Sequence, residues 1–199
     1  NGSAFYYDYT NQQVQSAILV NVPPLTPIGR IVNAPKSEVY GGELELIWKA
    51  APELTITQAL GYKHGEFREF IDVNAATLSL VNRKGEDIGF PELSYSGSLT
   101  YERQTSLGFA YTAHVDYSYR DEQGFPLLGP AFTLDSYWLA NAFVAFRPDG
   151  SPFEFALWGR NIFDQAYDET RNTFVAGTTD DFAVPGEPAT YGIRVSADF

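Results

Sequence analysis

The chain has no cysteine and no methionine, only two histidines, and 13 Lys and Arg against 25 Asp and Glu. Without cysteine, neither a disulfide framework nor a thiolate metal site is available. His64 and His114 sit on separate segments with no His-x-x-x-His pair and no nucleophile elbow near them. No catalytic residue, resident metal or cofactor is therefore assigned. A net charge of −12 argues against nucleic acid, whose binding depends on neutralising phosphates with basic side chains. No stretch approaches the ~18 consecutive apolar residues of a transmembrane helix. That absence does not exclude membrane-crossing strands, which alternate, so the mean hydropathy of −0.21 carries no weight on location. No leader is visible, and the chain opens on Asn1. Asn1 is therefore expected to lie inside a longer polypeptide or to follow a removed leader.

What is abundant is aromatic: 13 Tyr and 15 Phe, more than a soluble core of this size calls for. These residues fall in alternating patterns. In the last ten residues Tyr191, Ile193, Val195, Ala197 and Phe199 share one parity, and Thr190, Gly192, Arg194, Ser196 and Asp198 the other. A period of two makes this a strand with one apolar and one polar face. The same reading gives seven earlier strands: 3–20, 39–50, 54–70, 94–103, 107–120, 135–147 and 153–167. Pro-rich residues 23–35 and polar residues 71–93, 121–134 and 172–187 read as loops.

The connections alternate between turns of a few residues (51–53, 104–106, 148–152) and long loops. Short turns on one rim and long loops on the other are the pattern of outer-membrane barrels, with the long loops outside the cell. Several strands match the ~9–11 residues needed to cross a bilayer at a tilt. Tyr117, Tyr119, Tyr137, Trp138 and Trp158, near strand ends, are expected to form interfacial girdles. A soluble sandwich or lipocalin-like barrel would alternate too. A soluble barrel, however, would show small or polar side chains outside and a dry core inside; here one face is rich in Tyr, Phe and Leu, and the other carries Glu, Asp and Arg, which a dry core cannot bury unpaired. The expected fold is an all-β, antiparallel, up-and-down transmembrane barrel.

Three motifs carry a family resemblance. Leu157-Trp-Gly-Arg-Asn-Ile-Phe-Asp164 followed by Tyr167, Pro185-Gly186 before Tyr191-Gly192, and Tyr40-Gly-Gly-Glu-Leu-Glu45 resemble strand signatures of the TonB-dependent outer-membrane receptors. The resemblance is specific over 157–199 and rests on Asn161, Phe163, Asp164, Tyr167, Pro185, Gly186, Tyr191 and Gly192. It implies a barrel of about 22 strands with a plugged lumen. The eight strands of 1–199 would be its C-terminal portion, the plug domain and N-terminal strands lying outside this chain. It further implies energy-coupled uptake of a siderophore, vitamin or carbohydrate at the bacterial outer membrane. The implied partners are outer-membrane lipid, the barrel-assembly machinery, the plug and remaining strands, the TonB system and the nutrient. A self-contained eight-stranded barrel with a structural, adhesive or passive-transport role is the alternative, and an outer-membrane enzyme ranks last.

Within that frame Tyr191, Ile193, Val195 and Phe199 are candidates for the barrel-assembly signal. Glu43, Glu45, Glu102, Asp116, Arg120, Glu154, Arg160 and Arg194 should face the lumen, with His114 as a polar lumenal residue. Tyr119, Arg120, Arg171 and Phe174 are candidate ligand contacts in the long loops, because Arg and aromatic rings suit anionic or ring-bearing ligands. Asp180 and Asp181, with Asp168 and Glu169, form an acidic loop without calcium-ligand spacing.

Overall fold

The computed structural model describes residues 1–21, 24–74, 77–124, 133–173 and 181–198, with only the backbone described for Pro27, Asn172, Thr173 and Asp181. Among these residues every regular element is a strand, and no helix is long and apolar enough to cross a membrane, which says nothing of strands. The strands are β1 (Gly2–Val20), β2 (Thr26–Ala51), β3 (Leu54–Glu69), β4 (Ile71–Asn74), β5 (Ser79–Asn82), β6 (Leu93–Gln104), β7 (Phe109–Arg120), β8 (Tyr137–Pro148), β9 (Phe153–Arg160), β10 (Asp168–Thr173), β11 (Asp181–Pro185) and β12 (Thr190–Ala197). Eight of them form one antiparallel sheet in the order β1-β2-β3-β6-β7-β8-β9-β12, and β4-β5 and β10-β11 are separate hairpins. β1 and β12 are the two edges, so the eight strands form an open wall and not a closed ring.

Directly opposed residues project from the same face of a sheet, so the register sorts the side chains. One row runs Ile193–Leu157–Val144–Ala113–Tyr101–Leu54 across six strands, entirely apolar apart from one phenol. The adjacent parity runs Gly192–Trp158–Phe143–His114–Thr100–Thr55–Lys49 and turns polar from β7 onward. Large apolar side chains on the first face stand exposed, Ile193 at 74% and Leu157 at 62%. In water such a contiguous surface would be strongly unfavourable; against lipid tails it is the stable arrangement. Tyr6, Tyr40, Tyr62, Tyr95, Tyr119 and Trp138 ring this face toward the long connections, and Trp48, Tyr101, Tyr111, Phe109, Phe146 and Phe153 toward the short turns. Tyr111 and Tyr119 are eight residues apart on β7, about 26 Å along a strand. At a tilt of ~40° that projects to about 20 Å, close to the apolar band of an outer-membrane barrel. Tyr137 and Trp158, expected in the girdles, lie on the opposite face, because their register partners are Arg120 and Phe143.

Among the described residues, one polar side chain interrupts the outer face between the two aromatic rings. Gln58 folds its amide over Gly97, where a Cβ would lie 2.7 Å from Nε2. Its Oε1 accepts the hydroxyls of Tyr95 and of Tyr117, the latter at 2.9 Å. In lipid, which offers no alternative partner, this arrangement satisfies both phenols internally.

The structure departs from sequence expectation in five places. Residues 26–35 are not a loop but the upper half of β2, paired with β1 as far as Val20↔Thr26. Proline is tolerated there because β3 reaches only to Lys36, leaving this part of β2 with one neighbour, and because Pro35 lies opposite Asn11, whose φ of 57° already interrupts the ladder. The loop 71–93 contains the β4-β5 hairpin, and 172–187 contains much of β10-β11. Finally β7 starts at Phe109, not at Leu107, and β9 stops at Arg160 rather than near Tyr167, because Gly108 (φ 85°) and Asn161 (φ 44°) leave extended conformation.

The one buried apolar cluster among the described residues lies above the wall. Ala34, Phe67 and Phe70 are sealed beneath Val14, Val32 and Ile88, so the tall β1-β2 hairpin packs on the end of β3 and on the 71–93 insertion. Asp72, nearly inaccessible, is held there by Arg83 at 3.0 Å and by the Ser16 hydroxyl.

Candidate functional site

The inner face and the long-connection rim hold the chemistry that alternation and turn residues place there. Glu43, Glu45, Glu102, Asp116, Arg120, Glu154, Arg160, Arg194 and His114 all share the inner parity. On β9 and β12, Glu154 receives Arg147 at 3.1 Å and Arg194 at 3.6 Å, and Arg147 also reaches Asp198 at 3.2 Å. In mid-wall Asn141 donates to Asp116 at 2.7 Å, the His114 ring stacks on Phe143 at 5.2 Å, and His114 Nδ1 meets the Thr100 hydroxyl at 2.8 Å. A concavity of ≈ 400 Å³ opens between Asp116, Asn141, Phe143, Trp158, Arg160 and Arg194. Among the described residues Glu43, Glu45 and Glu102 form no salt bridge, and the Arg160 guanidinium lies 5.8 Å from the Trp158 ring. The inner surface thus offers unsatisfied acid on β2 and β6 and free basic charge near β12.

Above it, the motif residues converge on a single rim structure. Asn161, 5% exposed, turns the chain out of β9. Its backbone N–H donates to Asn141 Oδ1 at 3.0 Å, its Nδ2 donates to the carbonyls of Gln165 (2.9 Å) and Glu187 (3.0 Å), and its Oδ1 accepts the Gln165 N–H at 2.9 Å. Asparagine suits the position because it tolerates positive φ and carries both donor and acceptor. Asp164, also at positive φ, accepts the Ala189 N–H at 2.9 Å, and the Tyr191 hydroxyl donates to the Ile162 carbonyl at 2.9 Å. Tyr167 lies flat on Gly186, where a Cβ would fall 2.0 Å from the ring, and packs 4.5 Å from Tyr137. Burial raises the Tyr167 hydroxyl above the ordinary phenol range. On the wall just below, Gly192 admits the Trp158 ring on the inner face and Gly159 admits the Tyr191 ring on the outer face. Seven of the eight motif residues belong to this unit or to the strands that carry it. Phe163, 79% exposed, points away from it.

The remaining sequence candidates separate. Tyr119 and Arg120 lie within β7 and Arg171 within β10, not in loops. Tyr119 faces outward against Trp138 at 4.8 Å, while Arg120 faces inward and meets Gln123. Arg171 pairs with Asp168 at 2.9 Å, which takes that carboxylate from the acidic loop. Tyr191, Ile193 and Val195 stand exposed on the outer face of the edge strand β12. Phe174, Asp180 and Phe199 lie outside the described residues. A cluster that sequence reasoning missed is His64, Asp87 and Glu92; no spacing signal exists, because the strand and the returning segment meet only in the fold.

An open antiparallel wall, apolar and aromatic-belted outside and charged inside, with short turns on one rim, defines a segment of a bacterial outer-membrane β-barrel. Residues 1–162 match the family model of the TonB-dependent receptor-like β-barrel, and the chain belongs to that family. The match covers the body of the wall and overlaps the motif-bearing stretch 157–199 only at its start. Similar solved structures include the ferric yersiniabactin uptake receptor FyuA of Yersinia pestis (16% identity, TM-score 0.73), the ferric-catecholate import receptor Fiu of E. coli K12 (20%, 0.63) and the copper transporter OprC (15%, 0.63). Each matches over 100% of this chain but over only 27%, 25% and 28% of its own length, so this chain spans about a quarter of such a receptor. At these identities the likeness shows the fold. The family consists of receptors and transporters of the outer membrane, not enzymes.

Proposed function

We propose that these residues form part of the barrel wall of a receptor that takes up a small nutrient across the outer membrane with energy from the TonB system. The observation that carries this is the inner face. Its Glu43, Glu45, Glu102 and Arg160, without a salt bridge among the described residues, suit a wet, polar interior lined by a plug domain, and its two free sheet edges suit continuation by further strands. A closed eight-stranded barrel would instead need β1 and β12 to pair. Arg120 and Arg160, inward-facing toward the long connections, are the wall residues we assign to ligand or plug contact. Tyr191, Ile193, Val195 and Phe199 serve as the assembly signal. The similar solved structures are a ferric yersiniabactin uptake receptor, a ferric-catecholate import receptor and a copper transporter, and a metal-chelate nutrient is the first class to try.

The test is uptake of a panel of radiolabelled ferric chelates, copper, cobalamin and oligosaccharides by cells carrying the full-length receptor. Parallel strains lack TonB or the receptor. Accumulation of one ligand that needs both genes supports the reading. Uptake indifferent to TonB for every ligand taken up would overturn it.

A further inference from the structure

We infer that His64, Asp87 and Glu92 form a binding site for a borderline divalent cation of the Zn²⁺ type, which clamps the returning segment 83–92 onto β3. One ligand atom from each residue lies within 4.8 Å of the other two, and the His64 Nδ1 already adjoins a Glu92 carboxylate oxygen. A tetrahedral zinc ion needs its N and O ligands ~2.0–2.2 Å away, so sub-ångström to ~1 Å adjustments at the ends of flexible side chains suffice to close the set.

Both sides of the site are held by backbone bonds independent of any metal. Above Leu93 the chain leaves β6 but stays on the β3 edge. Lys63 N–H donates to the Glu92 carbonyl at 2.9 Å, Ile88 N–H to the Gly65 carbonyl at 3.1 Å, and Phe67 N–H to the Glu86 carbonyl at 3.0 Å. Glu66 and Asp87 are paired across this short ladder. One Asp87 oxygen accepts the Gly89 N–H, which fixes the carboxylate and leaves the other oxygen for a ligand. The Tyr40 ring at 5.3 Å fixes the imidazole plane.

The charge count fits a divalent ion. A neutral imidazole with two carboxylates sums to −2, while the neighbouring Glu66 is committed to Arg68. One nitrogen and two carboxylate oxygens suit zinc better than calcium, which takes six to eight oxygens, and leave room for water at the fourth position. All three side chains are half-buried, and His64 stands directly opposite Tyr40 at the outer aromatic ring nearer the long connections. His64 projects from the face opposite the inner charges, and the ion is structural, not cargo.

The test uses the full-length receptor in detergent at pH 7.5, with Zn²⁺ alone as probe in calorimetric titrations. Each variant is first checked for a folded barrel by its heat-modifiable electrophoretic mobility, with Glu92→Gln standing in for any that fails. One equivalent of Zn²⁺ should be lost, or bind at least tenfold more weakly, in His64→Gln and in Asp87→Asn, while Glu66→Gln stays within about twofold. The second readout is tryptic cleavage after the exposed Lys84, which should slow by up to about 100-fold at a Zn²⁺ concentration of 100 times Kd in the parent and be unchanged in Asp87→Asn. Wild-type receptor without saturable Zn²⁺ binding, or binding whose stoichiometry and affinity survive both substitutions, overturns the assignment.

Discussion

Replacing Asn161 by alanine should open the rim structure around β9 and β12 more than any other single polar substitution there. Three side-chain hydrogen bonds go, two donated by Nδ2 and one accepted by Oδ1. At about 1 kcal/mol each they sum to ~3 kcal/mol, and leaving the Gln165 amide without its partner keeps the sum from falling lower. The φ of 44° adds about 1 kcal/mol, since alanine tolerates the left-handed region less well than asparagine. The total of ~4 kcal/mol corresponds to about a thousandfold faster exchange of the protected amides, Gln165 foremost, up to the limit set by global unfolding. Two companions divide the sum. Asn161→Gly relieves the backbone but loses all three bonds, so it should cost about 1 kcal/mol less than alanine. Asn161→Asp keeps the acceptor for Gln165 and loses only the two donors. Hydrogen exchange in the refolded receptor reads all three. A change below about tenfold at Gln165 in Asn161→Ala, or alanine and glycine exchanging alike, would refute the reasoning.

Other substitutions probe the two faces and the core above them. Ile193→Arg places a charge on the lipid face of β12 and should cost about 2–4 kcal/mol of folding stability if it lies near the bilayer midplane, measured by denaturant titration in vesicles; Arg194→Gln beside it should cost under 1 kcal/mol. Gln58→Leu should cost about 1–3 kcal/mol by stranding two phenols in lipid, and adding Tyr95→Phe and Tyr117→Phe should recover most of it in the same titration. Arg83→Gln leaves the buried Asp72 with Ser16 alone and should loosen the 71–93 insertion by about 3 kcal/mol, seen as faster proteolysis there. Because burial raises the Tyr167 hydroxyl above its unfolded value, its neutral form stabilises the rim at and below neutral pH. That contribution is lost as pH rises from about 10 through the folded value, and the alkaline loosening, followed by amide exchange, should vanish in Tyr167→Phe.

How much of this was legible before folding follows from the range of each interaction. Alternation is local, so the wall strands, their two faces and the inward parity of Glu43, Glu45, Glu102, Asp116, Arg120, Glu154, Arg160 and Arg194 could be read from the sequence alone. Turn chemistry is also local, and it placed the short rim at 51–53, 104–106 and 148–152. The Pro-rich stretch 23–35 reads locally as a loop, whereas β2 tolerates proline there because it has one neighbour, and no residue near it announces where β3 ends. The motif Asn161 to Tyr167 was visible as a pattern and misread as strand, since the bonds that bend it come from Gln165, Glu187 and Ala189, the last two more than twenty residues away. The His64–Asp87–Glu92 cluster had no pattern to read, as its members meet only when 83–92 returns along β3. Sequence by itself determined the wall strands and their two-faced character, because a two-residue period leaves each side chain only one face; the register then placed Tyr137 and Trp158 inside. Tertiary structure alone decided that the wall is open at β1 and β12, that the insertions fold into hairpins and a small core, and which polar groups meet. Those outcomes depend on pairings between distant segments, and no local period encodes them.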